Sequence, residues 1–521
     1  MIDDALFLKV AAQIVRDPWR PFAVNVNWYG WQEPLWGVFK NPPGISYWLA
    51  AVSRLGGASE ILWHLSLLPF AIAAVIAGVR LAQRFTMTPG WTTAAWVASP
   101  AFLVSASTLM ADVPSLALTL WGLVAWIAGT DRDARGARRV GAFLTGAAIV
   151  LKYTSVLGIV ALAFYTACRA LPSRWRAQIL DVWPALLPPA AWAVMTLVTD
   201  GRIHIIDSLL VRGGGIDPNP GWFGHRAVAL LTFVAGAGVF PLLFVVVLLR
   251  TTATRVVLVV AAAIGVGAAF VTPMIWSSRG LLPGAIPFVG LLAALGASAL
   301  VAAAYLLWRA ARGDDRDTVF LCAWIALHVT FLWFWSWTIA ARFVLPLLVP
   351  LALLLARSLE PRAARVTRTA WLAGATIVAL ALSIALLEAD RVPGDFHRRV
   401  IADLGAQAQR EHRPVRFAGA WGFQYYAQRA GMTRLDVRAA NVAPGDLILQ
   451  PYFVANNELP SALTGRLAQA ASIPAPAPAF NLHTMNLHAG AGFYSSVYGP
   501  VPFFPAYLPA DGVIAWIVRA P

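Results

Sequence analysis

Residues 140–170 have the sequence VGAFLTGAAIVLKYTSVLGIVALAFYTACRA, in which Lys152 interrupts a long apolar run. A membrane crossing takes about 20 residues, so this stretch is too long for one helix and short for two. The orientation of every later segment depends on whether the chain crosses the membrane here once or turns back.

The Lys and Arg residues of the loops favour a turn. If the chain turns back near Lys152, the loops on one side carry 18 Lys and Arg residues, and those on the other side carry 6. The first set comprises residues 80–90, 130–140, 169–178, 250–255, 309–317 and 357–368, and the second comprises 108–111, 152–154, 200–226, 276–280 and 339–342. Positive residues accumulate in cytoplasmic loops, so the first set is predicted to be cytoplasmic. A single crossing would invert the later loops and remove this asymmetry.

The composition indicates a polytopic α-helical membrane protein. The chain is 59% hydrophobic and 12% charged, whereas soluble domains carry about 25% charged residues. The net charge of +15 comes from Arg residues in short loops, which indicates topology signals rather than a nucleic-acid partner. About twelve spans are predicted, at 61–84, 91–107, 112–129, 140–152, 153–170, 181–199, 226–249, 256–275, 281–308, 318–338, 343–358 and 369–387.

Two further regions are predicted to lie outside the cytoplasm. Residues 1–60 precede the first span and contain two candidate interfacial helices, 5–16 and 45–55. Residues 388–521 regain charge, Pro and Gly, and contain short β-like runs at 415–418, 446–449 and 513–516. The predicted division is therefore a first extracytoplasmic loop (1–60), a transmembrane domain (61–387) and a small soluble α/β domain (388–521).

Acidic residues at the predicted outer side are the first candidates for catalysis. Asp3 and Asp4 are adjacent carboxylates, and a carboxylate can act as a general base toward an attacking hydroxyl. Either Asp could alternatively cap the helix that follows. Asp112, which precedes Pro114, has the same two interpretations: an N-cap or a group that faces a cavity.

Three cations are candidates for binding an anion. Lys152 lies at membrane depth, where a charge is costly and therefore often functional, although its side chain could also extend to the interface. Arg342 and Arg279 lie at the outer ends of apolar runs, and guanidinium groups bind phosphate in a bidentate manner. Ordinary interfacial anchoring is the alternative interpretation for both.

The sequence contains no motif that indicates a cofactor. Cys168 and Cys322 lie in apolar segments without metal-ligand spacing and are interpreted as small hydrophobic residues. There is no HExxH, P-loop, GxSxG or dinucleotide fingerprint. A divalent metal is compatible with the candidate carboxylates, but no motif indicates one.

Six motifs in this order resemble a known family. They are Ile2-Asp3-Asp4-Ala5-Leu6-Phe7, Asn41-Pro42-Pro43-Gly44-Ile45-Ser46-Tyr47-Trp48, Met110-Ala111-Asp112-Val113-Pro114, Leu151-Lys152-Tyr153-Thr154, Ala341-Arg342-Phe343-Val344-Leu345-Pro346, and the run from Phe417 to Tyr426. Together they resemble the C-type (GT-C) membrane glycosyltransferases, family 39-like, of the protein-mannosyltransferase and aminoarabinose lipid A transferase group. The resemblance covers essentially the whole chain, although no single motif is specific.

The resemblance implies roles for these residues. Asp3 would be the catalytic carboxylate and Asp4 its supporting neighbour, and Arg342 would lie near the donor phosphate. Lys152 would also contact the phosphate, with Arg279 as a further candidate. Asp112, Asn41 and Tyr153 would line the same cavity.

Two departures from the family pattern concern Asn41 and the start of the chain. Relatives often carry His-Pro-Pro or Lys-Pro where this chain has Asn41-Pro42-Pro43. They also have a transmembrane helix before the acidic pair, so an upstream segment and a thirteenth span are expected.

The implied function is transfer of a sugar, with inversion, from a polyprenyl-phosphate donor to an acceptor hydroxyl. The acceptor would be a glycan, a lipid or a protein. The protein would be a multi-pass plasma (inner) membrane protein with its site facing the periplasm or the cell exterior. The alternatives are a transporter or flippase of a lipid-linked or small polar substrate, and a ligase or polymerase of surface polysaccharide. A transporter typically has inverted repeats, which are not evident, and a ligase would place its main catalytic loop late in the chain.

Overall fold

A computed structural model describes residues 4–169, 174–213, 220–248, 252–276, 281–361, 363–439, 441–455, 457–463 and 465–520. Most of these residues are helical. The α-helices are Asp4–Arg16, Leu35–Val38, Gly44–Gly56, Glu60–Phe85, Pro89–Val97, Pro100–Ala106, Asp112–Asp131, Arg135–Leu151, Val156–Arg169, Trp175–Leu180, Leu187–Asp200, His204–Gly213, Pro220–Gly238, Phe244–Leu248, Thr252–Ile275, Ala285–Gly313, Arg316–Thr330, Ala341–Leu359, Arg365–Arg410 and Trp421–Arg429.

Every predicted span coincides with helix, and the chain is a polytopic α-helical membrane protein. Within the described ranges, however, only eight helical stretches are long and apolar enough to cross a membrane alone, and a ninth crossing would be a bent pair. Two of the eight, Trp175–Asp200 and Arg316–Trp335, join successive helical elements. The other four predicted spans are short or broken, at 91–107, 140–152, 153–170 and 226–249.

The broken spans have local causes. Pro100 lacks an amide hydrogen and clashes with the preceding turn, so the helix ends at Val97 and a new one begins with Ser99 as its cap. Near residue 239 the helix direction changes by 94°, where Val239 has a left-handed φ of 63° and Pro241 follows. The helix Arg135–Leu151 has 17 residues and spans only about 26 Å at 1.5 Å per residue.

The chain turns back at Lys152, as the loop charges predict. The helix Arg135–Leu151 ends there, and a single 3-10 turn leads into Val156–Arg169. Hereafter the upper end of the bundle is the end that carries Asp112 and Lys152, and the lower end is the opposite one. At the lower end, Arg84 pairs with Asp131 and Asp317, at 2.9 and 3.0 Å.

The described residues between 388 and 520 include a five-stranded sheet at the upper end, and we call this region the sheet domain. Its five-stranded sheet is built around the strand Gly512–Val518, which pairs antiparallel with Leu447–Pro451 and Leu467–Pro474. The strand Val415–Phe417 adds parallel to Leu447–Pro451, and Thr433–Arg434 forms the edge. The remaining strands of the chain are Asn25–Asn27, Gln32–Pro34, Leu482–His483, Met485–Asn486, Ala491–Gly492 and Phe504–Pro505.

One helix joins the bundle to the sheet domain. Arg365–Arg410 has 46 residues, which corresponds to about 69 Å at 1.5 Å per residue. Its first half packs in the bundle through Leu372 and Leu386, and its second half packs in the sheet domain through Phe396 and Ile401. The two parts of the molecule are therefore connected without a loop.

A second connection runs from the sheet domain back to the bundle. We call residues 482–505 the return segment. The amide of Ala341 donates to the Phe493 carbonyl at 2.8 Å, and the amide of Ser496 donates to the Ile339 carbonyl at 2.7 Å. The ring of Phe493 is buried among bundle residues. The return segment is thus part of the core at the upper end.

The first loop also contacts the sheet domain. The buried Arg434 guanidinium donates to the carbonyls of Asn27 and Trp28, at 3.0 and 2.9 Å, and to Oε1 of Gln424. Its burial lowers the pKa of this guanidinium to about 10. One cation therefore bridges two regions separated by about 400 residues.

Replacing Arg434 with Leu should destabilise the protein. Buried carbonyls that lose their donors cost about 1–3 kcal/mol each, so we expect a loss of roughly 3 kcal/mol or more. Thermal unfolding in detergent would measure this, with Arg413→Leu as the control. Arg413 forms a partly exposed pair with Glu411 and should change stability by about 0.5 kcal/mol or less. Equal melting temperatures for the two variants would contradict this role of Arg434.

Candidate active site

Asp112 lies at the upper end of the bundle between two cations. It begins the helix Asp112–Asp131, so its carboxylate is near the positive end of the helix dipole. Its Oδ1 pairs with Nζ of Lys152, and its Oδ2 lies 3.8 Å from Nε of Arg342. The side chains of all three residues are nearly buried. The sequence-predicted Asp112, Lys152 and Arg342 are therefore brought together.

Both cations also lie against the ring of Phe343. Nζ of Lys152 is 4.7 Å from the ring centroid, and Cζ of Arg342 is 4.8 Å from it. An aromatic face attracts a cation within about 6 Å. Phe343 is thus a shared wall that holds the ammonium and the guanidinium in one place.

Tyr494 of the return segment connects this cluster to a further carboxylate. Nη1 of Arg342 donates to the carbonyl of Tyr494 at 3.0 Å, and the Tyr494 hydroxyl donates to Asp390. The hydroxyl of Thr484 also donates to Asp390. Burial, together with the carboxylates of Asp390 and Asp4, raises the pKa of Tyr494 well above 10, while Arg342 acts in the opposite direction. Tyr494 is therefore a neutral hydrogen-bond donor between the two groups.

Asp4 is buried next to the loop that precedes Asp112. It is 3% exposed, and its Oδ1 accepts from the amide of Leu109 at 3.1 Å. It lies in the first turn of Asp4–Arg16, where a carboxylate is favoured. This bond fixes the first helix of the chain to the upper end of the bundle. Asp3 and Arg279 lie outside the described residues.

A cavity of about 260 Å³ opens beside Asp4 and Asp390. It is enclosed by the first helix, the start of Glu60–Phe85, the middle of Arg365–Arg410 and the start of Trp421–Arg429. Loops of the sheet domain close it. Asp4, Asp390, Thr484 and Tyr494 all line it.

Asp112, Asn41 and Tyr153 were predicted to line the same cavity as the candidate catalytic residues. None of them is among the described residues that line this cavity. The phenol of Tyr153 is 2.7 Å from Nδ1 of His204 and accepts from Nε1 of Trp192 at 2.9 Å. Asn41 lies half-buried in the turn that packs against the end of the helix Arg135–Leu151, where a Cβ on Gly44 would be 2.5 Å from the Val150 carbonyl. Tyr153 thus follows Lys152 directly in the chain, and Asn41 lies three residues before Gly44, which packs closely against the helix that ends at Leu151.

Sequence reasoning did not identify Asp390 or Tyr494. Asp390 had a detectable signal, because it follows the last apolar run and lies near the predicted outer boundary of the membrane. No pattern in the sequence marked Tyr494 as a candidate residue. Its importance follows from contacts with residues more than 100 positions away.

The described residues contain no group of three or more His, Cys, Asp or Glu side chains that could hold a metal ion. The site described above presents carboxylates, the cations Lys152 and Arg342, and the phenol of Tyr494. Carboxylates can accept a proton, and clustered cations can stabilise a developing anion.

Comparisons with known proteins place these observations in context. No protein-family model matches the chain. Over 156 residues, the chain is 28% identical to the lipid A galacturonosyltransferase RgtD of Rhizobium johnstonii, and the match covers 28% of this chain and 33% of that protein. The chain thus spans about a third of the length of this relative.

Two solved structures are also similar. ArnT from Cupriavidus metallidurans bound to undecaprenyl phosphate is 15% identical, with a TM-score of 0.34 over 88% of this chain and 92% of that one. The apo form is 16% identical, with a TM-score of 0.36 over 87% and 91%. The match to RgtD, itself a glycosyltransferase, confirms the resemblance to the membrane glycosyltransferases.

Asp112→Asn should destabilise the protein more than Lys152→Met. The neutral amide at position 112 would leave two nearly buried cations without the carboxylate they share, and breaking a buried ion pair costs about 3–5 kcal/mol. The double variant should recover about 1 kcal/mol or more, because it removes one of those cations. Thermal unfolding of both single variants and the double variant tests this coupling. Strictly additive effects would show that Asp112 and Lys152 are not coupled.

Proposed function

We propose that this protein is a glycosyltransferase that moves a sugar from a polyprenyl-phosphate donor to an acceptor hydroxyl. The observation that carries the proposal is the nearly buried cluster of Asp112, Lys152 and Arg342, which Tyr494 connects to a cavity lined by Asp4. Such a transfer needs cations that stabilise a leaving phosphate and a carboxylate that accepts the proton of the acceptor. The cation cluster and the carboxylate-lined cavity beside it would supply these two parts.

The cations would bind the phosphate of the donor. The polyprenyl tail would remain in the bilayer, which places its phosphate at the depth of the bundle's upper end. Lys152 and Arg342 lie at this end and share the face of Phe343. Their charges would stabilise the phosphate as it leaves, and such contacts are strongest where water is excluded. Arg279 is proposed as an additional phosphate contact.

Asp3 would act as the general base, with Asp4 as its supporting neighbour. The acceptor oxygen forms a bond to the anomeric carbon as the bond from that carbon to the phosphate oxygen breaks. The acceptor proton moves to the carboxylate, and polyprenyl phosphate leaves with the bonding electron pair. One displacement inverts the anomeric configuration. Asp4 suits a supporting role, because the Leu109 amide fixes it beside the cavity.

The proposed arrangement in the cell follows the loop charges. The first loop (1–60) and the sheet domain (388–521) would lie on the extracytoplasmic face, and residues 61–387 would form the transmembrane domain of an inner-membrane protein. Acceptors to be tested are glycans, lipids and proteins. The match to RgtD makes lipid A the first acceptor of that panel and a galacturonosyl group the first sugar.

Asp3→Asn should reduce transfer by about 100- to 10,000-fold, since this is the usual contribution of a general base. The assay incubates detergent-purified protein with a panel of polyprenyl-phosphate sugars and a membrane extract. Release of free polyprenyl phosphate is followed by mass spectrometry. Folding is checked by the melting temperature of each variant. Wild-type rates in a folded Asp3→Asn variant would remove Asp3 from the base role.

Arg342→Gln should lower the rate of transfer by about 100-fold, because it removes a charge that faces the leaving phosphate. Arg413→Gln is the matched control, since Arg413 lies on the surface of the sheet domain, and it should transfer at the wild-type rate. An Arg342→Gln variant as active as this control would contradict the phosphate-binding role.

The alternative is a transporter or flippase of a lipid-linked or small polar substrate. It would release no polyprenyl phosphate from any donor, while a well-folded sample would move substrate across vesicle membranes. This outcome would replace the transferase proposal.

A further inference from the structure

The cavity beside Asp4 has aromatic walls. Six aromatic side chains surround it besides Tyr494: Trp63, Trp421, Phe423, Tyr425, Tyr426 and Phe453. They come from the start of the helix Glu60–Phe85, from the helix Trp421–Arg429 and from a loop of the sheet domain. Its volume of about 260 Å³ lies just below the ~300–1,000 Å³ of typical small-molecule sites. The space therefore suits one or two small rings rather than a long chain.

Trp421 has an unusual backbone conformation within this wall. Its φ is +59°, in the left-handed region that residues other than Gly, Asn and Asp rarely adopt. Such a residue costs on the order of 1–3 kcal/mol and persists where the surrounding structure enforces it, often at functional sites. The half-buried indole lines the cavity and also packs edge-on against Tyr498, with ring centroids 5.6 Å apart. The strained backbone thus coincides with the placement of an aromatic ring at the cavity.

Carboxylates lie next to these rings. The donors Thr484 and Tyr494 fix the position of Asp390, and the Leu109 amide fixes that of Asp4. A fixed carboxylate accepts hydrogen bonds from hydroxyl groups and repels other anions.

The cations near the cavity are already paired with acids of their own helix. Arg391 pairs with Glu388 and Asp395, and Arg398 pairs with Asp395 at 3.1 Å. Both arginines line the cavity. Because their charges are balanced locally, the cavity presents mainly aromatic faces, carboxylates and the imidazoles of His64, His397 and His483.

A pyranose ring matches this combination. Its faces present C–H groups that stack on aromatic rings, and its edge presents hydroxyls that donate to carboxylates. We propose that the cavity is a binding site for a neutral saccharide unit of the acceptor, with Trp421 as a stacking wall and Asp390 as a hydroxyl-binding group. This inference rests on the proposed function, because the bound saccharide would be part of the acceptor in that reaction. It adds the chemical class of the acceptor.

Binding without donor tests the cavity directly. Protein is prepared in a detergent without a sugar headgroup, because a glycoside detergent would compete. Saturation-transfer difference NMR then measures binding of methyl β-D-glucopyranoside, its uronic acid counterpart and 1-hexanol. The neutral pyranoside should bind, and the uronate should bind at least about 10-fold more weakly because of Asp4 and Asp390. Binding of 1-hexanol but not of the pyranoside would identify an apolar or lipid site and overturn the proposal.

Trp421→Asn separates a binding role from a structural one. Asn tolerates the left-handed conformation, so the variant removes the ring and relieves the backbone. We expect affinity for the pyranoside to fall by about 10-fold or more, with little change in melting temperature. Trp421→Tyr keeps a ring and should retain most of the binding. Trp19→Asn, which removes an exposed indole elsewhere in the first loop, should bind as the wild type does. Loss of melting temperature without loss of affinity would show that Trp421 is structural.

Asp390→Asn tests the hydroxyl-binding group. It removes a negative charge, so the preference for the neutral pyranoside over the uronate should shrink by about 10-fold. An unchanged preference would overturn the role of Asp390.

These measurements separate the two proposals. Pyranoside binding that depends on Trp421, in a protein that turns over no donor, would support the cavity and reject the transferase. Donor turnover by a protein with no pyranoside binding would support the transferase and reject the saccharide site.

Discussion

Asp112 lies between Lys152 and Arg342 at the upper end of the bundle, and the geometry of the site depends on this ion cluster. Charges at membrane depth are tolerated where they are paired. Asp112 begins a helix, Lys152 occupies the hairpin turn and Arg342 is the second residue of another helix. The attraction of Asp112 for both cations therefore aligns three separate segments. The proposed function assigns the same two cations to the phosphate of the donor.

Tyr494 extends this organisation from the bundle to the cavity. Its carbonyl accepts from Arg342, while its hydroxyl donates to Asp390. A change in either contact alters the position of the same residue. The cation cluster and the cavity are therefore connected through Tyr494. In the proposed reaction, this residue would link the cation that binds the leaving phosphate to the carboxylate that contacts the acceptor.

Much of the fold could be predicted because its signals are local. The apolar runs of the sequence located the long helices of the bundle, and the loop charges indicated the turn at Lys152. The bend at Val239 could not be predicted, since it depends on how the helix packs as well as on Pro241. The site was predictable only where a charge interrupts an apolar run, as at Lys152. The contact between Arg342 and Tyr494 joins residues 152 positions apart, and no local pattern encodes it.

The return segment has a consequence for the order of assembly during synthesis. Residues 482–505 emerge from the ribosome after every helix of the bundle, yet the amide of Ala341 and the guanidinium of Arg342 bind to their carbonyls. The helices can therefore insert before the cation cluster acquires its final partners. A nascent chain that still lacks residues 482–505 therefore cannot have a complete site, and the site is completed only when the return segment docks on the bundle.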